Sequence, residues 1–199
     1  AVAVSVYLPT TSATISTTGA MTSDGALTLS ATSTDTVNTS ASGVNTDDSG
    51  TGVGIAVAFG FESPNVRAAL EDGSLTASAV NVSATMDADN TFTVSAVSGS
   101  GDATQMGIAG SLAIHVLTTS VEAVVDGSVN LNGGDLTLTA NSTTSAVTHA
   151  TPKKAGAAAD KGVGLSLALY IGTNTTTASI LDGAQVTNVD DITMSATGS

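Results

Sequence analysis

The sequence predicts an all-β fold, a parallel β-solenoid assembled from a repeat of 53–57 residues. Three observations point there: a composition suited to pleated surfaces, landmarks that recur at one spacing, and a large–small alternation inside each copy. Aromatic residues make up 3% of the 199 and Trp is absent. Burial therefore has to come from thin layers of Ala, Val, Leu and Ile rather than from rings, which cover about 150–250 Å² each. Thr, Ser and Val fill much of the remainder and favour strands. Long runs of Leu, Glu, Lys, Gln and Arg, which would build helices, are missing.

The landmarks keep one order. The first is a Gly followed by alternating residues, at Gly54-Ile55-Ala56-Val57-Ala58-Phe59, Gly107-Ile108-Ala109-Gly110-Ser111-Leu112 and Gly164-Leu165-Ser166-Leu167-Ala168-Leu169, with steps of 53 and 57. The second is an Asp-Gly turn at Asp72, Asp126 and Asp182, with steps of 54 and 56. The third is a short strand centred on Leu29, Val82, Leu138 and Met194, with steps of 53, 56 and 56. The copies span 1–52, 53–105, 106–162 and 163–199 as one solenoid segment. The first lacks its Gly landmark and the last stops after its third. Both ends fall inside a copy with no polar cap in sight, which predicts a piece of a longer array or ends that pair with further copies.

Parity divides the first strand of each copy. Ile55, Val57, Phe59 and Phe61 share one face, and Gly54, Ala56, Ala58 and Gly60 share the other. The large face is expected to be buried, with the small face either an exposed ladder or a surface that another element approaches closely. A period near 55 divides into about three turns of ~18 residues. In the second copy the corners would fall at Ser63-Pro64-Asn65, Glu71-Asp72-Gly73, Ala88-Asp89-Asn90 and around Gly99 to Asp102. The alternative is antiparallel β-hairpin repeats, with Ser63-Pro64-Asn65 and Asn132-Gly133-Gly134-Asp135 as hairpin loops.

The run Gly52-Val53-Gly54-Ile55-Ala56-Val57-Ala58, the Asp-Gly turn and Val80-Asn81-Val82-Ser83-Ala84-Thr85 resemble the repeats of giant bacterial adhesins. These are the filamentous-haemagglutinin and leukotoxin-like large exoproteins and the autotransporter passenger domains. The resemblance covers nearly the whole chain. It implies export, a right-handed parallel β-helix shaft and an adhesive or surface-layer role. It brings no catalytic residue with it.

The residues themselves argue against most chemistry. With 17 acidic and 4 basic residues the net charge is −13, which repels nucleic acid and anionic membranes. Zero Cys leaves neither a disulfide framework nor a thiolate metal site. No apolar run reaches the ~18 residues of a membrane span, and the opening AVAVSVYL has no basic leader. Glycosidase and lyase chemistry needs paired carboxylates at a set separation, or calcium with a basic proton acceptor. Here the acids sit side by side at turns, at Asp47-Asp48, Glu71-Asp72 and Asp190-Asp191. Arg67 reads as a surface charge without an acidic constellation. His115, on the small-residue face, and His149, near a loop, have no His or Cys at metal-ligand spacing.

No catalytic or cofactor residue is therefore assigned and the chain is not read as an enzyme. Calcium is the one cofactor with candidates, Asp72, Asp126 and Asp182, should the turns stack. Partner-binding candidates are Lys153, Lys154 and Lys161, which bracket an insertion at 152–162 holding three of the four basic residues. The expectation is a structural repeat module of a secreted or cell-surface adhesin or extracellular filament: a stiff rod that adds end to end to further repeats or copies of itself. The alternative is a module that binds a cell-surface glycan or protein. Sugar-stacking rings are limited to two Tyr and three Phe.

Overall fold

The computed structural model describes residues 1–45, 50–101, 103, 105–153 and 161–199. The fold is all-β, and among the described residues there are fifteen strands and no helix. The first copy supplies β1 (Val2–Tyr7), β2 (Thr10–Ser16), β3 (Ala20–Thr22), β4 (Ala26–Ser33) and β5 (Thr36–Val44). The second supplies β6 (Thr51–Glu62), β7 (Asn65–Glu71), β8 (Ser74–Thr76), β9 (Ala79–Met86) and β10 (Thr91–Gly99). From the third come β11 (Met106–Val125), β12 (Ser128–Ser142) and β13 (Ser145–Lys153), and from the fourth β14 (Lys161–Ile180) and β15 (Val186–Gly198).

These strands form three sheets, and the chain visits them in turn. The first holds β1, β2, β6, β7, β11 and β14; the second β3, β4, β8, β9, β12 and β15; the third β5, β10 and β13. Every strand pairing among the described residues is parallel, which overturns the antiparallel alternative. Asn132-Gly133 makes no hairpin. It sits inside β12 at a register irregularity, where both residues take positive φ (51° and 87°) and the extra backbone is absorbed as a bulge.

The partner of each strand lies one whole repeat away. Ladder offsets run from 53, at Ala26↔Ala79, to 57, at Val129↔Val186. Among the described residues no ladder joins positions about 18 apart, so three short turns within one repeat are overturned: the three segments of a copy lie in three different sheets. The third landmark has the observed register, Leu29↔Val82↔Leu138↔Met194. The first is corrected by two residues, because Gly54 pairs with Ala109, and Ala109 with Gly164.

The supposed corner at Ser63-Pro64-Asn65 is a gap within one face. Tyr7↔Glu62 and Thr10↔Asn65 keep register on either side of it. Pro9 and Pro64 have no N–H to give the ladder. Where the third and fourth copies carry Thr119 and Asn174, β11 and β14 run unbroken for 20 residues each. A true corner follows β7, where Asp72 and Gly73 both have positive φ (53° and 65°). Another follows β9. There the buried Asn90 side chain donates to Ser33 O and Asp87 O, both at 2.9 Å, and accepts from Asp35 N at 2.7 Å, tying the second copy to the first.

The inner face is opposite to the one expected. Along the first half of each long strand the small residues face in and the large ones face out. Ala56, Ala58 and Ala113 of the first sheet pack on Ala41, Val94 and Ala96 of the third. The backbones come so close that side chains are excluded. A β-carbon on Gly54 would stand 2.0 Å from Gly99 O and 2.4 Å from Gly43 O, and one on Gly52 would stand 2.0 Å from Ser100 O. Toward the second sheet the interior widens and takes larger groups. Val66, Val121 and Val125 meet Val80, Val82, Leu136 and Leu138 there, all buried.

Candidate functional site

Two features of the first sheet stand out against this frame, one on each of its faces. The inner one is polar. Gly60 and Glu62 of β6 share parity with the glycines and alanines that line the narrow interior, and so does His115 of β11. Leu117 pairs with Glu62 and His115 with Gly60, so the two side chains are offset by one alternation on neighbouring strands. Both are fully buried, with Glu62 Oε2 3.0 Å from His115 Nε2. Neither atom makes a hydrogen bond, so the two are close without being aligned for one.

Around the pair, Ser5 Oγ donates to Glu62 Oε1 at 3.2 Å and also meets the Thr39 hydroxyl. His115 Nδ1 lies 3.1 Å from Thr148 Oγ1, and the Tyr170 ring stands edge-on to the imidazole at 5.2 Å. Burial pushes the Glu62 pKa up, against a smaller opposing effect of the Ser5 hydrogen bond, and pushes the His115 pKa down. Both shifts favour the uncharged pair. In that state neither group carries a charge into the interior, and His115 Nδ1 stays within hydrogen-bond reach of the Thr148 hydroxyl. With no solvent contact at either group, the pair acts inside the fold, joining strands of the first and third sheets.

The outer feature is apolar. In-register pairing builds columns of large side chains across the four copies: Val2–Val57–Leu112–Leu167, Val4–Phe59–Ile114–Leu169 and Val6–Phe61–Val116–Ile171. Ile55 is 59% exposed and Leu165 76%. In the column between those two, Gly110 leaves a notch, with nothing within 4 Å of where its β-carbon would stand. Outward positions turn polar further along the same strands, at Thr118, Ser120 and Glu122 of β11. There Arg67 pairs with Glu71 and lies 3.6 Å from Glu122, the register partner that sequence reading did not supply.

A cleft of about 380 Å³ opens beside Leu117, Thr119, Tyr170, Asn174 and Ser199. It offers hydroxyls, one amide and one ring, and no charge.

The candidates named from sequence are spread out. Asp126 lies at a corner where the offset to the second copy changes, from Val125↔Leu70 before it to Ser128↔Ser74 after it, and Asp72 and Asp182 stand at the corresponding corners of their copies. Among the described residues no three of His, Cys, Asp and Glu gather as a metal would require. Lys153 closes β13 opposite Gly99, and Lys161 opens β14 opposite Met106; both are exposed. Lys154 lies outside the described residues, as do Asp47 and Asp48. Glu62 was missed, although its parity and the 55-residue offset would have set it beside His115. No protein-family model, curated protein or solved structure matches this chain.

Proposed function

We propose that this chain is a length of right-handed parallel β-solenoid, one turn per repeat, serving as a stiff structural module of a secreted or cell-surface adhesin or fibre. The observation that carries the reading is that every ladder among the described residues joins positions one repeat apart. The copies lay their strands on one another in sequence, four deep in the first two sheets and three deep in the third, and such an arrangement extends by adding copies without altering the cross-section. The outermost strands, β1 and β14, each keep one unpaired edge, the geometry for end-to-end addition by strand pairing. The buried groups serve packing and strand alignment, in keeping with a scaffold rather than an enzyme.

Electron microscopy of the purified chain, alone and as tandem fusions, tests the reading. A rod of constant width whose length grows in proportion to the number of repeats supports it. Globular particles of growing width refute it. A second reading, a glycan- or protein-binding module, rests on the cleft with Tyr170 and Asn174. Specific retention on a glycan array, lost in Tyr170→Ala, would favour it.

A further inference from the structure

We propose that the apolar half of the first sheet's outer face binds the same half-face of a second copy of this chain, sheet against sheet. This lateral contact is independent of the end-to-end one, since it uses a face and not the strand edges.

The chemistry of the strip selects the partner. Outward positions from Val2 to Leu8, Val53 to Phe61, Ile108 to Val116 and Val163 to Ile171 carry aliphatic residues, two Phe and Gly110, with no side-chain donor or acceptor. A sugar, nucleotide or ion brought there would lose water and gain no hydrogen bond in return. Charge narrows the choice further. The chain has a net charge of −13, yet these positions hold no charged residue. Two copies can therefore meet here without opposing their carboxylates, whereas an anionic lipid surface would be repelled by the rest of the molecule.

Size and shape fit a second copy. Four strands about 4.8 Å apart and nine residues at about 3.3 Å each give a planar footprint of roughly 570 Å². That approaches the ~800 Å² per partner of a standard stable interface, before side-chain relief is added. A second copy presents the same ridge spacing, so its columns fit between these at a sheet separation of about 10 Å. The Gly110 notch, flanked by Ile55 and Leu165, receives a protruding side chain from across the interface.

Sedimentation over a concentration series tests this with three forms of the full chain. Leu112→Glu changes the middle of the strip, and Thr118→Glu changes the polar half of the same strand face. The wild type and Thr118→Glu are expected to dimerise alike, and Leu112→Glu to associate at least about 30-fold more weakly, the size of a hot-spot loss. Circular dichroism checks the fold; should Leu112→Glu unfold, Leu112→Thr, a strand former, is read in its place. A wild type that stays monomeric overturns the proposal, as does one that is monomeric in solution yet floats with neutral phosphatidylcholine vesicles. Dimers indifferent to Leu112 substitution also overturn it and assign association to the strand edges.

Discussion

Glu62 and His115 meet at 3.0 Å inside the narrow part of the fold, on adjacent strands and one alternation apart. Their contact is the one place where two ionisable groups share the glycine- and alanine-lined interior among the described residues. Removing one partner strands the other. His115→Ala is expected to cost about 1–3 kcal/mol, the range for a neutral buried group left without a partner. Glu62→Gln keeps a neutral polar side chain of the same shape beside Nε2 and is expected to cost about 1 kcal/mol. Urea unfolding of the two variants measures the difference.

The same pair sets a pH dependence. A carboxyl raised above its ordinary 4.5 keeps a proton in the folded chain that the unfolded chain releases, so the stability linked to Glu62 falls as pH rises past 4.5. A histidine lowered below 6.5 refuses a proton that the unfolded chain takes up, so the stability linked to His115 falls as pH drops below 6.5. The slopes oppose each other between those values. Glu62→Gln removes one of them, and its melting temperature relative to wild type is expected to climb from about pH 4 to about pH 7. A difference that stays flat across this range would show that Glu62 titrates as an ordinary carboxyl.

Close backbone approach makes glycines unequal. Gly54→Ala would drive a methyl into two carbonyl oxygens and is expected to destabilise by about 3 kcal/mol or more. Gly25→Ala meets nothing within 4 Å and should stay within about 0.5 kcal/mol of wild type. Thermal melts of the two proteins make the comparison.

Leucines report which face is inside. Leu138 is fully buried, and its change to Ala is expected to cost about 2–5 kcal/mol. Leu167 belongs to the outward strip and is 58% exposed. Leu167→Ala should cost the folded monomer less than about 1 kcal/mol. Equal losses would return the large residues to the interior.

Calcium has its own test. With no three such ligands gathered among the described residues, the melting temperature is expected to be the same in excess chelator and in millimolar calcium. A rise of several degrees with calcium would mean that the turns gather carboxylates after all.

The sequence carried the strand content and the period because alternation and turn residues are local properties. It also carried the register of Leu29, Val82, Leu138 and Met194, where the flanking motif is unambiguous. It failed at Gly54, since Gly52, Gly54, Gly107, Gly162 and Gly164 share one parity and a shift of two residues preserves the pattern. The choice of inner face failed for a deeper reason. Size alone favours burying Ile55 and Phe59, but the separation of the sheets decides what fits, and that separation is a property of the assembled copies. Glu62 escaped notice for the same reason, since a lone acid on a face that could be either exposed or covered gave no cue that it meets His115.

The two prolines leave the first sheet unevenly fastened. Pro9 faces the seam between the first and second copies and Pro64 the seam between the second and third, and neither has an amide proton to give there, while Thr119 presents one where β11 meets β14. Thermal breathing between the copies is therefore graded. Openings start near Pro9 and Pro64, and the seam between the third and fourth copies holds longest, so an axial pull would part the molecule at a place set by its own sequence.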